Sequence, residues 1–164
     1  MSKSSPPVFE VVVETPKGSR NKYELDHRRG VFVLDREMFS ATRFPIDYGF
    51  VEDTLAEDGD PLDALVLVGE PTFPGCRIEC RAVGLLRMHD QKGRDDKLLC
   101  VPTWDRRLQW RDLKDVPKPL LDEIGHFFAI YKDLDREAWA EVDGWSGRPR
   151  AEEELAAARR RAQR

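Results

Sequence analysis

The sequence predicts a mainly β chain with helices (α+β), in which short strands close a small barrel and two helices flank it. Apolar runs rich in Val, Leu, Ile and Phe are short and are separated by Gly, Pro, Asp and Asn, which is typical of strands joined by turns. No long helical pattern interrupts these runs, so consecutive strands can pair and close on themselves. After residue 116 the apolar spacing becomes that of a helix.

The predicted strands follow a short N-terminal tail, residues 1–7, which is rich in Ser and Pro and lacks the apolar stretch of a secretory signal. Six strand-like segments then follow in chain order: 8–14, 22–26, 30–36, 63–68, 78–88 and 97–101. Turn-forming residues lie between them, so neighbouring segments are expected to pair as strands of one barrel.

Two helices are predicted in the C-terminal part of the chain. Pro117 and Pro119 suit a helix start, and apolar residues from Leu120 to Tyr131 recur at helical spacing. The second helix covers residues 150–164, where acidic residues near the start and arginines at the end complement the helix dipole. This helix is expected to be solvated. No repeat or linker divides the chain, so residues 1–164 are predicted to form one domain.

Composition excludes several classes of protein. The 164 residues include 27 basic and 31 acidic side chains, and 35% of the chain is charged, against about 25% in a typical domain. Apolar runs of five or six residues fall far short of the roughly 20 that a membrane span needs. A net charge of −4 leaves no basic footprint for nucleic acid. The three cysteines are interpreted as core residues, which fits a reducing cytoplasm.

Common catalytic motifs are absent from the sequence, including the dinucleotide fingerprint, the P-loop, His-Glu-x-x-His and Gly-x-Ser-x-Gly. The three histidines, His27, His89 and His126, are widely spaced, which disfavours a three-histidine metal site. His126 adjoins Phe127 and Phe128, so it is expected to lie in the core or at an interface.

The sharpest local feature is the string Asp-Gly-Asp-Pro-Leu-Asp at residues 58–63. If this stretch is extended, Asp58 and Asp60 point to one face about 6.5–7 Å apart. Such carboxylates repel one another unless they are protonated or cations neutralise them, and hard oxygen ligands suit Mg²⁺ or Mn²⁺. A calcium EF-hand does not fit, because Asp63 stands where the loop requires Gly. Taken alone, the string is equally compatible with an exposed polar turn.

Two further sets of charged residues favour a functional site. Asp90 and Asp95 flank a predicted hairpin turn, which would bring them close together. The third set lies in the first strands and comprises Glu14, Lys22, Glu24, Asp35 and Arg36. Each set also has a purely structural interpretation, as a solvated turn or as ion pairs across a sheet. The three tyrosines, Tyr23, Tyr48 and Tyr131, each adjoin charged residues, and a phenol next to a lysine is a sensible pair of oxyanion donors.

Together these segments resemble the family I soluble inorganic pyrophosphatases. The matching blocks, in the order of that family, are Lys22-Tyr23-Glu24, Asp35-Arg36, residues 44–49, residues 58–63, residues 90–102 and residues 126–134. The resemblance covers residues 8–145 and implies a five-stranded OB-like closed barrel. It also implies hydrolysis of pyrophosphate to two phosphates with several Mg²⁺ ions per site, for which Mn²⁺ or Zn²⁺ could substitute. A cytoplasmic homo-oligomer, a hexamer in bacterial members, is implied as well.

The resemblance also implies roles for individual residues. Asp58, Asp63 and Asp95 correspond to ligands of the tighter metal, with Asp63 bridging to a second ion. Asp90 and Asp95 correspond to ligands of a metal that arrives with substrate, and Glu14 and Glu24 to further metal-facing carboxylates. The phosphate-binding set is Lys22, Arg36, Tyr48, Lys97, Tyr131 and Lys132. Asp60 corresponds to the general base, and Asp95 is a second candidate for that role.

Two positions depart from the commonest bacterial pattern, because Phe44 replaces a Tyr and Gln91 replaces a Glu. Neither is a primary ligand in the pattern, so activity is expected to survive while metal affinity is altered. Two other classes of function are alternatives to the pyrophosphatase. A nucleic-acid-binding barrel needs a basic groove with stacking aromatics, and a Ca²⁺-binding structural domain needs only the Asp-rich turns. Mg²⁺-dependent release of phosphate separates the enzyme from both.

Overall fold

The computed structural model describes residues 4–164; residues 1–3 of the predicted tail lie outside the described residues. Residues 4–8 have no regular secondary structure. The strands are β1 (Phe9–Thr15), β2 (Asn21–Asp26), β3 (Val31–Glu37), β4 (Asp47–Val51), β5 (Asp63–Val66), β6 (Arg77–Asp90), β7 (Gly93–Arg94), β8 (Lys97–Pro102) and β9 (Ala140–Gly147). The helices are α1 (Lys118–Ile130) and α2 (Arg148–Ala162), with a short 3₁₀ turn at Leu113–Asp115.

Five strands close a ring. β1 pairs antiparallel with β4 and with β6, and β4 pairs antiparallel with β5. β8 completes the ring by pairing parallel with β5 and antiparallel with β6. The predicted fold class, a mainly β chain with a closed five-stranded arrangement and two flanking helices, is therefore confirmed. β7 and β9 extend the sheet alongside β6, whereas β2 and β3 form a separate two-stranded sheet.

The membership of the ring differs from the six strands predicted. The segments 22–26 and 30–36 form the separate hairpin, and the fifth ring strand is β4, which was not predicted. β4 carries Gly49, and glycine within a strand counts against a strand prediction. The glycine is needed because a Cβ atom there would lie only 2.0 Å from the Val12 carbonyl oxygen across the ladder. β9 was also missed, since its apolar residues are interrupted by Asp and Gly.

The ring strands are buried on both faces. In β5, Ala64 and Val66 belong to one apolar cluster, which α2 covers with its own buried residues. Leu65 and Leu67 belong to a second cluster, which α1 covers with Ile124, Phe127 and Phe128. Burial on both faces explains why these segments read as continuous apolar runs rather than as an alternating pattern.

Helix α2 is more than the solvated terminal helix that was expected. It begins at Arg148 rather than residue 150, and Ala151, Leu155 and Ala158 are fully buried against the ring. These residues are spaced by four and three, which places them on one face. Two of the three are alanines, so the apolar stripe is easily overlooked in a segment that is rich in charge.

Replacing Leu155 by Ala is expected to lower the free energy of unfolding by about 2–5 kcal/mol, because it opens a cavity between α2 and the ring. Urea denaturation followed by circular dichroism measures this change. Arg160→Ala, on the exposed face of the same helix, should change it by no more than about 0.5 kcal/mol. Equal effects of the two substitutions would show that α2 does not dock as described.

Other expectations have mixed outcomes. Cys80 and Cys100 are buried in the core, Cys76 is half-buried, and all three thiols are free. His126 is exposed on α1 and does not lie in the core, and the alternative of an interface position stays a prediction. Its neighbours Phe127 and Phe128 occupy the buried face, and consecutive helical residues cannot all share one face.

Among residues 4–164, no helix has the length and apolar character required to cross a bilayer.

Candidate active site

One cavity of about 550 Å³ collects most of the charged residues singled out in the sequence. The predicted site residues that line it are Glu14, Lys22, Glu24, Arg36, Tyr48, Asp58, Asp60, Asp63, Asp90, Asp95, Tyr131 and Lys132. Lys97, the remaining predicted residue, is fully buried and contacts two of these carboxylates. The structure therefore brings the whole predicted set together.

A buried lysine organises the centre of the site. Parallel pairing of β5 with β8 places Asp63 opposite Lys97, and the Lys97 Nζ lies 2.7 Å from an Asp63 carboxylate oxygen. The same ammonium is 3.1 Å from Asp95 and 5.2 Å from the centre of the Tyr48 ring. Tyr48 donates a hydrogen bond to Asp63 at 2.9 Å. Each side chain of this cluster therefore makes an ion pair or a hydrogen bond with another member.

Burial and neighbouring charges shift the pKa values of this cluster. Burial alone would lower the pKa of Lys97, but Asp63 and then Tyr48 and Asp95 outweigh it, so the pKa lies well above its usual range. Burial raises the pKa of Asp95, an effect that Lys97 opposes and Asp63 reinforces. Burial also raises the pKa of the Tyr48 phenol. Lys97 is therefore charged and Tyr48 protonated at neutral pH, and both can donate hydrogen bonds.

Glu14 connects the ring to the β2–β3 hairpin. It lies near the end of β1 and accepts a hydrogen bond from the Leu25 backbone N–H at 2.8 Å. Burial raises the pKa of Glu14 to about 7, with a further contribution from Asp63. A carboxyl group with such a pKa is expected to ionise more readily when a cation binds beside it.

The segment that carries Asp58 and Asp60 is a turn, so the condition under which strand alternation would direct both side chains to one face is not met. Gly59 adopts a φ of 91°, which favours glycine. The Asp60 backbone N–H donates a hydrogen bond to the Asp58 carboxylate at 3.0 Å. Burial raises the pKa of Asp58. Both side chains still line the cavity, but a local hydrogen bond rather than strand alternation sets their orientation.

The predicted hairpin turn lies between β6 and β7, with Asp90 paired to Gly93. Asp90 accepts hydrogen bonds from the Lys92 backbone N–H at 2.8 Å and from Lys132 Nζ at 3.0 Å. Burial opposes ionisation of Asp90, but these hydrogen bonds outweigh it and hold its pKa below the usual range. Burial also raises the pKa of Tyr131, which follows α1 directly and precedes Lys132.

The β2–β3 hairpin contributes two more cations. Lys22 lies 3.2 Å from Asp35 and 3.5 Å from Glu24. Arg36 donates to Asp135 at 2.9 Å, and Asp135 was not among the predicted site residues. The two residues are 99 positions apart, and no local motif marks Asp135. Only the fold of the segment between α1 and β9 reveals this pair.

The composition of the cavity suits hard divalent cations. Among residues 4–164, no three His, Cys, Asp or Glu side chains converge on a single point in this arrangement. Instead five of the cavity's carboxylates pair with lysines or arginines, as Asp63 and Asp95 do with Lys97. Eight acidic side chains but only four Lys and Arg residues line the cavity. Carboxylate oxygens are the ligands that Mg²⁺ prefers, so the residues present fit such ions.

A cavity beside a five-stranded ring that combines surplus carboxylates with lysines, an arginine and tyrosines suits an enzyme that binds a phosphate anion together with divalent cations. The family model described as inorganic pyrophosphatase matches residues 11–163. The inorganic pyrophosphatase of Streptomyces coelicolor is 57% identical over 148 residues, covering 90% of this chain and 91% of that protein. The relative from Methanosarcina acetivorans is 55% identical over 141 residues, covering 85% of this chain and 83% of that protein.

Solved structures agree with these relatives. The inorganic pyrophosphatase of Thermus thermophilus superimposes with a TM-score of 0.95 at 46% identity, covering 99% of this chain and 95% of that chain. The enzyme from Helicobacter pylori gives a TM-score of 0.93 at 37% identity, covering 99% of this chain and all of that chain. The chain belongs to the inorganic pyrophosphatase family, as the sequence resemblance predicted.

Proposed function

We propose that this chain hydrolyses inorganic pyrophosphate to two phosphates with the help of Mg²⁺. The observation that carries this proposal is one cavity in which lysines, an arginine and three tyrosines lie beside a dense set of carboxylates. The relatives named inorganic pyrophosphatase support it. The proposal includes a single domain over residues 1–164, a homohexameric assembly and a cytoplasmic location.

The carboxylates are assigned to metal ions. Asp58, Asp63 and Asp95 would hold the tighter ion, Asp90 would share a second with Asp95, and Glu14 and Glu24 would face further ions. Divalent ions bound there would neutralise the carboxylates, polarise phosphoryl oxygens and lower the pKa of water. Mn²⁺ and Zn²⁺ are assigned as substitutes, because carboxylates also bind them.

The cations and phenols are assigned to the phosphate groups. In the structure Lys22, Arg36, Lys97 and Lys132 are each paired with a carboxylate. An incoming phosphate oxygen can join or replace that partner, because each lysine offers three donors and arginine offers five. Tyr131 adds an O–H donor, and Tyr48 can add another if its hydroxyl turns from Asp63 to the phosphate. Charge developing on the leaving phosphate is thereby stabilised by groups that are already in place.

Asp60 is assigned as the general base. Within residues 4–164, its carboxylate takes part in no ion pair, and the side chain is exposed to the cavity. It can therefore accept a proton from the attacking water. Asp95, the second candidate, is engaged by Lys97, so its oxygens are less available. We assign the base role to Asp60 on this difference.

Release of phosphate from pyrophosphate tests the proposed activity directly. The purified chain should release two phosphates per pyrophosphate with Mg²⁺ present, and phosphate release should stop when EDTA removes the ions. ATP serves as the control substrate and should be cleaved far more slowly. Failure to cleave pyrophosphate at any Mg²⁺ concentration would overturn the proposed function.

Replacing Asp135 by Asn is expected to raise KM for pyrophosphate about three- to tenfold and to leave kcat within about twofold. Asp135 holds one nitrogen of Arg36 at 2.9 Å, so that the rest of the guanidinium can face the phosphate. The effect is modest because both side chains are partly exposed, where ion pairs contribute little. Steady-state kinetics at saturating Mg²⁺ measures the split between KM and kcat.

Asp133→Asn is the matched control for this substitution. Asp133 is an exposed aspartate in the same segment and does not line the cavity. It should leave both kinetic constants unchanged. If Asp135→Asn behaves like Asp133→Asn, Asp135 does not position Arg36.

A further inference from the structure

The loop between β4 and β5 carries Asp58 and Asp60 at the edge of the active-site cavity. The Ala56 backbone N–H donates to the Asp60 carbonyl at 2.7 Å, and the Gly59 N–H donates to the Ala56 carbonyl at 3.1 Å. Residues 56–60 therefore form a compact unit, which we call the acidic turn. The position of this turn sets the position of both carboxylates.

Apolar packing gives the acidic turn little support. Ala56 is the one apolar side chain in it, and that side chain packs against the core. The turn borders the active-site cavity, and it also borders a second cavity, of about 320 Å³, which is lined by Ala56, Glu57 and, from α2, Glu154. Because two cavities adjoin it, the turn depends largely on polar contacts for its position.

Leu55, the residue before the acidic turn, is hydrogen-bonded to α2 through both of its backbone polar groups. Its N–H donates to the Ala158 carbonyl at 2.9 Å, and its carbonyl accepts a hydrogen bond from Arg161 Nη1 at 2.9 Å. Leu155 and Ala158 are buried against the ring, so α2 is fixed to the core of the fold. The two hydrogen bonds thereby connect the acidic turn to that core.

The Arg161 guanidinium contacts both the helix and the loop. Its Nη1 and Nη2 atoms lie 3.2 and 3.3 Å from the carboxylate of Glu154, seven residues earlier in α2, and Nη2 lies 3.9 Å from Glu57 in the acidic turn. The Arg161 and Glu154 side chains are only 26% and 12% exposed, and partly buried ion pairs are screened less than surface pairs. A planar guanidinium offers five donors, so this one side chain joins helix and loop.

We propose that Arg161 is a positioning residue for Asp58 and Asp60. Arg161 does not line the active-site cavity, so it acts through the Leu55 carbonyl and the acidic turn rather than on the substrate. The proposal rests on the proposed function, in which Asp58 holds a metal ion and Asp60 is the general base. Removing groups that orient metal ligands weakens metal binding, and small displacements of catalytic groups slow the reaction.

Arg161→Met tests this role, because methionine keeps an apolar side chain of similar reach but removes every donor. Calorimetric titration of the full chain with Mg²⁺, well below its Tm, measures ion binding without any turnover. The substitution should weaken Mg²⁺ binding about three- to tenfold, somewhat less than removal of a group that contacts a ligand directly. At saturating Mg²⁺, kcat should fall about three- to tenfold because Asp60 is less well placed. KM for pyrophosphate should change less than about twofold, because the phosphate-binding cations keep their positions.

Two controls separate this role from the general stability of α2. Arg160→Met replaces the exposed neighbour of Arg161 on the same helix and should bind Mg²⁺ like the wild type. Leu155→Ala lowers the stability of the fold but leaves every donor of Arg161 in place, so well below its Tm it should also keep wild-type Mg²⁺ binding. Arg161→Lys should weaken binding by an intermediate amount, because one ammonium replaces the planar set of five donors.

Asp58→Asn distinguishes failure of this proposal from failure of the function on which it rests. Weaker Mg²⁺ binding in Asp58→Asn together with wild-type binding in Arg161→Met would refute the role of Arg161 and leave the metal assignment standing. Wild-type binding in Asp58→Asn would overturn the metal assignment and the role of Arg161 with it. Equal losses in Leu155→Ala and Arg161→Met would also refute the role, since the cause would then be the docking of α2. If Arg161→Met does not fold, Arg161→Lys decides, and unchanged Mg²⁺ binding in that variant refutes the proposal.

Discussion

Replacing Asp60 by Asn is expected to lower kcat for pyrophosphate hydrolysis by about two to four orders of magnitude. The substitution removes the ability to accept a proton but keeps the size of the side chain. The Asp60 backbone N–H still donates to Asp58, so the turn should keep its shape. The fold and the binding of Mg²⁺ should therefore change little.

Turnover at saturating Mg²⁺ and pyrophosphate measures this loss, and circular dichroism checks the fold. Asp53→Asn is the matched control, because Asp53 is an exposed aspartate that does not line the cavity. Near-wild-type turnover of Asp60→Asn would refute the base assignment. If Asp95→Asn alone then abolished turnover, the role would pass to Asp95.

Replacing Asp63 by Ala is expected to weaken Mg²⁺ binding more than about 100-fold, because even residues that only orient metal ligands typically contribute 10–100-fold. Asp63 is the shared partner of Lys97 and Tyr48, at 2.7 and 2.9 Å. Its loss leaves the buried Lys97 ammonium with Asp95 as its remaining carboxylate partner. With only one carboxylate partner left, the Lys97 charge is less fully compensated and also opposes an incoming cation.

Gln91→Ala is the comparison for Asp63→Ala. Gln91 lines the cavity, and its side chain accepts a hydrogen bond from the Trp139 backbone N–H at 3.3 Å. Because the Gln91 side chain carries no charge, it contributes little to cation binding. Gln91→Ala should therefore weaken Mg²⁺ binding by less than about tenfold. Titrations of Mg²⁺ against activity and against Tm measure both variants, and Asp63→Asn checks that lost volume is not the cause. Equal effects of Asp63→Ala and Gln91→Ala would contradict the bridging role.

Local patterns in the sequence predicted the elements whose signals lie within a few residues. Helix α1 was expected from the apolar spacing over residues 120–131 and is observed at Lys118–Ile130. A four-residue turn was expected over residues 91–94, and the structure has a tighter turn at residues 91–92, because Gly93 and Arg94 pair with β6. β4 was missed because Gly49 weakens its pattern, although the close approach of β1 requires that glycine.

The active site likewise has features that the sequence predicted and features that it did not. The resemblance of the motifs indicated which residues would lie together, and all of them surround one cavity or contact its carboxylates. It did not indicate that Asp135 pairs with Arg36, or that Lys97 is fully buried between Asp63 and Asp95. Those facts depend on where distant segments meet.

By itself the sequence determined the fold class, the family and the inventory of charged groups, because periodicity and motifs are local properties of the chain. Only the tertiary structure decided which strands close the ring, which carboxylate each cation contacts, and how burial shifts the pKa values of Glu14, Asp95 and Lys97. Desolvation and pairing depend on the distances between segments that are far apart in sequence. Those distances exist only once the chain has folded.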